Sequence, residues 1–248
     1  MLNSLKRLMF MNRGRGTPIV VNAANDESTI YVYDAIVASD VEAEWWGGVS
    51  AESFVKTLAG ITTPFIHLRI NSPGGDVFAG RAMENAIRQS DKTVIAHVDG
   101  FAASAASFVA LAADSVEIAP GGFFMIHQAW TLAYGNSNDL LQAADLLDKI
   151  DGTLVKTYAK DTGRDEEEIR AWMAEEKWFT ADEAVQFGFA DSVSAATPKN
   201  SAKWDLSAYK NAPAQNLIAQ EEAARIEVLT VMDSLRQKRA RELALATI

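Results

Sequence analysis

The stretch PFIHLRINSPGG, residues 64–75, decides the fold because an apolar run ends there in a turn with two consecutive glycines. Pro64 to Ile70 predicts a strand, and a helix is expected from about Val77 to Gln89. The segment KTVIAHV at residues 92–98 predicts the next strand, which ends at Asp99-Gly100. Nearly continuous apolar strands that alternate with helices are typical of an α/β fold with a mostly parallel sheet, covered on both faces.

The same repeated strand–helix units extend to both sides of this stretch. Further strands are predicted at residues 29–36, 115–118 and 123–126, and further helices at residues 49–58, 102–113, 137–158, 165–173 and 180–187. Ser137 or Asn138 is the expected N-cap of one helix, and Thr180 that of another. Both glycine turns follow the carboxyl ends of strands, where parallel sheets place their ligand sites. The turns are therefore the first candidates for a functional site.

Changes of composition along the chain predict four regions. Residues 1–18 form a basic flexible arm, whose apolar run is too short for a signal peptide. Residues 19–195 form the globular domain, and the polar segment at residues 196–214, which contains two prolines, is a linker. Residues 215–248 predict a helical tail. That tail packs on a partner or on the body of the protein, or it is a frayed, solvent-exposed helix.

Composition excludes several classes of function. The net charge of −10 argues against a nucleic-acid or anionic-membrane surface, since both need clustered positive charge. No stretch is long enough to cross a bilayer. The chain has no cysteine, so disulfides, thiolate metal sites and cysteine nucleophiles are excluded, and the cytoplasm is the expected location. The spacing of the three histidines is not that of a zinc-protease helix.

Three short segments carry candidate chemistry. Ser104 lies in GFAASAAS, residues 100–107, between a strand and a helix, where free N–H groups favour developing negative charge. Tight helix packing would explain the same small residues. His127 ends a predicted strand, at the edge of the sheet, and is the favoured general base. Gly74-Gly75 permit an outward-pointing N–H, as an oxyanion donor requires, although an ordinary tight turn needs them equally.

The other two histidines lie inside apolar runs. His67 belongs to PFIHLRI and His97 to KTVIAHV, so a core or structural role is expected for both. Both histidines thus differ from His127, because they lie inside predicted strands and His127 lies at the end of one.

Together, NSPGG at residues 71–75, GFAAS at residues 100–104 and MIHQ at residues 125–128 resemble the motifs of ClpP-like serine peptidases. The resemblance extends from about Thr29 to Val193. It implies the ClpP/crotonase-like superfold and a serine-type endopeptidase that needs no metal or cofactor. Ser104 would be its nucleophile and His127 its general base.

The same resemblance assigns the rest of the site. Gly75 and Ala105 would donate the two oxyanion-hole N–H groups. Glu176, two residues before Trp178, would complete the triad, with Glu175 as the nearest rival. Better-known members of the family carry aspartate at this position, so the chain departs from them by one methylene.

Within that family, the segment WWGGVSA at residues 45–51 and the long C-terminal tail are most similar to the ClpP-related prohead proteases of tailed bacteriophages. The expected substrate is then a capsid or scaffold precursor, cleaved during head maturation in the host cytoplasm, where the assembling prohead is one expected site of action. The family implies a homo-oligomer, a heptameric ring or stacked rings. The alternatives are a housekeeping proteolytic subunit fed by an ATPase, a crotonase-type acyl-CoA enzyme and an inactive ring-forming scaffold.

Overall fold

The computed structural model describes residues 21–24, 26–195, 206 and 208–213. The chain divides into two compact units, residues 1–210 and 211–248, and only residues 211–213 of the second are among the described ones. The predicted arm at residues 1–18 and the predicted tail at residues 215–248 therefore lie outside the described residues. The fold and the candidate site belong to the first unit.

The first unit has an α/β fold with a mostly parallel sheet, in agreement with the sequence prediction. Its described strands are β1 (Val21–Ala24), β2 (Glu27–Val32), β3 (Ile36–Val37), β4 (Val49–Ser50), β5 (Phe65–Ser72), β6 (Thr93–Ala103), β7 (Ser115–Ile118), β8 (Phe123–Ile126), β9 (Lys177–Thr180) and β10 (Ser192–Val193). Its described helices are α1 (Asp40–Trp46), α2 (Ala51–Gly60), α3 (Val77–Arg88), α4 (Ala105–Ala110), α5 (Ser137–Thr162), α6 (Glu166–Glu175) and α7 (Ala181–Gln186). Within this part of the chain, no helix is both long enough and apolar enough to cross a membrane.

Eight strands form one sheet in the order β1-β2-β5-β6-β7-β10, with β8 attached to β6 and β9 to β8. The central strand β6 changes neighbour along its length: residues 95–98 pair with β7, and residues 101–103 pair with β8. On its other side β6 pairs with β5 as far as Ser72, which lies opposite Ala102. Because β5, β6 and β8 are parallel, their carboxyl ends meet at one edge of the sheet. The residues that follow these three strands are thereby brought together.

The two faces of the sheet differ in polarity. On one face, alternate residues of β5 and β6 are buried and apolar: Ile66, Leu68, Ile70, Val94, Ala96 and Val98. On the other face, half-buried His67 and His97 contact each other, with 2.9 Å between Nδ1 and Nε2, and Arg69 forms a salt bridge with Asp99. In β2, β5 and the first part of β6, buried residues alternate with half-buried or exposed ones. The expectation of nearly continuous apolar strands, covered on both faces, is therefore wrong for these three strands, whose second face is only half-buried.

Several predicted boundaries are corrected by tertiary pairing. The helix predicted at residues 102–113 is only α4, because residues 101–103 continue β6 to pair with β8. The strand predicted at residues 29–36 is divided into β2 and β3, and the helix predicted at residues 49–58 begins after β4. The sequence patterns do not predict β1, α1, β9 or β10, which are too short to show a clear periodicity.

Side-chain caps fix the start of two predicted helices. Asn136 caps α5 by accepting hydrogen bonds from the N–H groups of Asn138 and Asp139, so the cap lies one residue before Ser137. Thr180 caps α7 as predicted, and its partner Glu183 completes a capping box.

Candidate active site

Ser104 lies between β6 and α4 in a backbone conformation that non-glycine residues rarely adopt, with φ 52° and ψ −123°. Hydrogen bonds to both sides of the residue hold this conformation. The Ser104 N–H donates to the Met125 carbonyl oxygen of β8 at 2.9 Å, and the Ser104 carbonyl accepts from Ser107 Oγ at 2.6 Å. The sheet and the helix thus position the serine where the strand ends.

His127 follows β8 at the same edge, and its Nε2 lies 2.8 Å from Ser104 Oγ. The backbone after it is anchored, since the Gln128 N–H donates to the Met173 carbonyl oxygen at 3.1 Å. Burial lowers the pKa of His127 from 6.5 to about 4, and the charge of Glu176 opposes this effect. The imidazole is therefore neutral at neutral pH, as a proton acceptor must be.

Glu176 directly follows α6 as its C-cap residue, and its backbone is in the left-handed conformation, with φ 54°. Its carboxylate accepts hydrogen bonds from Trp178 Nε1 at 3.4 Å and from the Lys210 N–H at 3.0 Å. Among nearby carboxylates, it is the charge of Glu176 that acts on the His127 imidazole, whereas the predicted rival Glu175 is exposed.

The NSPGG turn at residues 71–75 lies against the serine. The Gly74 carbonyl accepts from the Ile36 N–H at 2.8 Å, and the Asp76 N–H donates to the Ile36 carbonyl at 2.9 Å, so this pairing with β3 does not use the Gly75 N–H. Ala105 is the first residue of α4, and its N–H has no partner within that helix. Both N–H groups predicted as oxyanion donors therefore belong to the two turns that meet at Ser104.

Gly74 explains how closely these two turns approach each other. Its φ is +81°, and a Cβ built on it would lie 2.7 Å from the Ala105 nitrogen and 2.8 Å from Ser104 Cβ. No L-amino acid fits there without moving the backbone on which Ser104 stands. The two glycines of the turn thus serve a close approach of one backbone to another.

A cavity of about 260 Å³ opens beside Ser104 and His127. Most of its wall is apolar, formed by Phe78, Phe108, Leu146, Leu147, Ile150 and Leu154. Tyr158 also lines it, and its hydroxyl is paired with Ser107 Oγ at 2.7 Å. The cavity is therefore suited to an apolar side chain next to the serine.

Sequence reasoning missed the contribution of residues 206–210, which fall in the predicted linker. Leu206 and Tyr209 are buried, and the Tyr209 ring packs against His127 with 5.7 Å between centroids. The spacing of Leu206 and Tyr209, three residues apart, is the one signal of burial in this segment, but nothing in the sequence connects the two residues to His127. No cluster of three or more His, Asp or Glu side chains suited to a metal ion occurs among the described residues.

A serine hydroxyl 2.8 Å from a buried, neutral imidazole, beside two turns with backbone N–H groups, has the arrangement of a serine hydrolase site on an α/β fold. A sequence profile of the family described as Clp protease matches residues 50–197. The chain belongs to this family. Members of the family are serine-type peptidases that form homo-oligomeric rings and act on protein substrates, and membership of this family supports the predicted class of enzyme, a serine-type endopeptidase.

Individual relatives agree with this assignment. The "ATP-dependent Clp protease proteolytic subunit 3" of Streptomyces coelicolor is 34% identical over 130 residues, which are 52% of this chain and 60% of that protein. A Streptococcus pneumoniae "ATP-dependent Clp protease proteolytic subunit" is 31% identical over 143 residues, which are 56% of this chain and 73% of that protein. The fold matches that of a ClpP1 mutant from Listeria monocytogenes, with a TM-score of 0.57 and 24% identity over 73% of this chain and 94% of that one. None of these three is a head-maturation protease, so that narrower assignment stays a prediction.

Proposed function

We propose that the chain cleaves peptide bonds through an acyl-enzyme on Ser104, with His127 as general base. The observation that carries this proposal is the 2.8 Å contact between Ser104 Oγ and His127 Nε2, two residues that line a mostly apolar cavity. Burial keeps the imidazole neutral, so it can accept the hydroxyl proton.

The steps follow from these positions. Ser104 Oγ attacks the peptide carbonyl carbon while its proton passes to His127 Nε2. The resulting oxyanion is stabilised by the N–H groups of Gly75 and Ala105, each worth about 3 kcal/mol in the transition state. His127 then protonates the leaving amine, and the same residue activates the water that hydrolyses the ester.

Glu176 supplies the negative charge that favours the imidazolium form of His127. This role is supported by its effect on the pKa of His127. Trp178 Nε1 and the Lys210 N–H hold the carboxylate oxygens, so the glutamate is constrained in spite of its extra methylene.

Replacement of the nucleophile tests the proposal. In Ser104→Ala, peptide cleavage and labelling by a fluorophosphonate should both fall by at least about a thousandfold. The matched control is Ser137→Ala, because Ser137 is exposed on α5, and it should behave as the parent. Labelling of a serine other than Ser104, or unchanged cleavage in Ser104→Ala, would show that the nucleophile lies elsewhere. A crotonase-type enzyme would not be labelled at all.

The biological role that we favour is the processing of capsid or scaffold precursors during phage head maturation, by a ring-shaped homo-oligomer in the host cytoplasm. It is supported by the likeness of residues 45–51 to phage prohead proteases and by the chain that follows the family match at residue 197. Purified protein mixed with a capsid precursor should release discrete fragments without ATP. The relatives named above favour, to a modest degree, the alternative of an ATP-dependent Clp subunit. Cleavage that strictly requires an ATPase would establish that alternative.

A further inference from the structure

Tyr209 lies beside the candidate catalytic residues although it falls beyond the family match, which ends at residue 197. Its ring contacts His127 edge to face, with 5.7 Å between centroids and 84° between planes. On another side it contacts Trp178 in the same manner, at 5.9 Å and 76°. Tyr209 is buried, so its ring occupies space beside the imidazole that solvent would otherwise fill.

The polar end of Tyr209 reaches the other two parts of the site. Its hydroxyl donates a hydrogen bond to the carbonyl oxygen of Pro73, in the turn that carries Gly75. The phenol oxygen also interacts with the Ser104 hydroxyl. Burial, and to a lesser degree the charge of Glu176, raise the pKa of Tyr209, so the phenol is protonated and acts as a donor at neutral pH.

The next residue along the chain completes the arrangement. The Lys210 N–H donates to Glu176 Oε2 at 3.0 Å. Two consecutive residues, Tyr209 and Lys210, thus contact the proposed acid, the proposed base and the oxyanion turn. A connecting segment without a role in the site would not need contacts with all three.

The position of the cavity shows whether Tyr209 supports the site or blocks the space beside Ser104. Of the described residues that line it, none is Leu206 or belongs to residues 208–210. Tyr209 therefore packs against His127 from a side other than the cavity, and these described residues leave the apolar space beside Ser104 open.

We infer that Tyr209 is a positioning residue, which holds the imidazole of His127 and the Pro73–Gly75 turn in register with Ser104. This inference rests on the proposed peptidase function. Its hydroxyl fixes the oxyanion turn through Pro73, and its ring keeps water from His127. The low pKa of His127 depends in part on that exclusion of water.

The test uses the full chain with Tyr209→Ala, Tyr209→Phe and, as control, Tyr134→Ala, because Tyr134 is 91% exposed. The first measurement is the pKa of His127 by NMR, with His127→Gln to identify its signal among the three histidines. Tyr209→Ala should raise this pKa from about 4 towards 6.5, since water then reaches the ring. Tyr209→Phe and Tyr134→Ala should leave it unchanged.

The second measurement separates kcat from KM for a peptide substrate. Tyr209→Phe should lower kcat about three- to tenfold and leave KM within about twofold, because the hydroxyl's contacts with Pro73 and Ser104 are lost while the ring stays in place. An unchanged kcat in Tyr209→Phe would overturn the inference, and this variant decides if Tyr209→Ala does not fold. A rise in kcat would overturn it in favour of a segment that blocks the site.

The two proposals fail in different ways. Absence of peptide cleavage by the parent would refute the proposed function, whereas the NMR titration reports on Tyr209 and His127 without any turnover. A pKa of His127 that stays near 4 in a folded Tyr209→Ala protein would refute the positioning role even if the parent is an active peptidase.

Discussion

The substitution Gly74→Ala tests whether the oxyanion turn must lie directly against Ser104. A Cβ at this position would stand 2.8 Å from Ser104 Cβ and 2.7 Å from the Ala105 nitrogen. The second of these is a backbone atom, which cannot move aside as the tip of a flexible side chain can. Gly121→Ala is a matched control, because its φ of +78° is nearly the same as the +81° of Gly74 and a Cβ there meets nothing within 4 Å.

Gly74→Ala and Gly121→Ala should change the free energy of unfolding through the same contributions, except for the steric clash at residue 74. Both place an L-residue in the left-handed region, which costs roughly 1–2 kcal/mol. Both also reduce the entropy of the unfolded chain by a similar amount. Overpacking adds about 1–3 kcal/mol, and we expect Gly74→Ala to fall at the upper end because the obstructing atoms are backbone. The free energy of unfolding should therefore drop about 3 kcal/mol more in Gly74→Ala than in Gly121→Ala.

Urea unfolding followed by tryptophan fluorescence measures the stability difference, and fluorophosphonate labelling of Ser104 measures the site. Displacement of the turn removes the Gly75 N–H from the oxyanion position, so labelling should slow by about a hundredfold or more in Gly74→Ala. In Gly121→Ala it should proceed at the parental rate. Equal unfolding free energies for the two variants, together with parental labelling of Gly74→Ala, would refute the close approach of the two turns.

Three further predictions concern the pH dependence of activity, the pH dependence of stability and a buried ion pair. Burial lowers the pKa of His127 to about 4, so kcat/KM should stay high down to about pH 5 and fall through pH 4. Glu176→Gln removes the charge that raises this pKa, so the acid limb of its pH–rate profile should lie lower still. An acid limb at pH 6.5 in the parent would contradict a buried base. Since the unfolded state binds this proton first, the His127 contribution to stability should be lost as the pH falls from 6.5 to 4. Glu84 is buried and forms salt bridges with Arg81 and Arg88, so Glu84→Ala should lower the free energy of unfolding in urea by roughly 3 kcal/mol. The control Glu52→Ala, in the exposed pair with Lys56, should lower it by less than about 0.5 kcal/mol. Equal losses in the two variants would contradict this difference in burial.

The sequence predicts well that Ser104 and His127 lie near each other, because the parallel order of the strands requires it. Once β5, β6 and β8 are recognised as apolar runs that each end in a distinctive segment, their carboxyl ends must meet at one edge. The position of the strand end within GFAAS was less predictable. Gly100 is part of β6, where a Cβ would stand 2.5 Å from the buried Asn71 Oδ1, so the glycine serves packing inside the strand and does not form the expected turn.

The parts of the site that the sequence does not predict depend on long-range contacts. Residues 206–210 fall within a mainly polar segment at residues 196–214 that contains Pro198 and Pro213, which indicates a linker. Their position is determined by Tyr209, whose ring fits between His127 and Trp178. No periodicity carries that information, because the partners of Tyr209 are Pro73, Ser104, His127 and Trp178, the most distant of them 136 residues away in the chain.

The departure from aspartate at position 176 and the presence of Tyr209 have a common physical explanation. A glutamate carries one more rotatable bond than an aspartate, so a carboxylate that must face an imidazole is less well ordered by its own side chain. Here the additional freedom is removed from both oxygens, by Trp178 Nε1 on Oε1 and by the Lys210 N–H on Oε2. The left-handed backbone of Glu176 directs the side chain from the end of α6, and the segment that supplies Lys210 is held by Tyr209. The carboxylate of Glu176, the proposed acid, is thus held in part by Lys210, a residue that follows the family match.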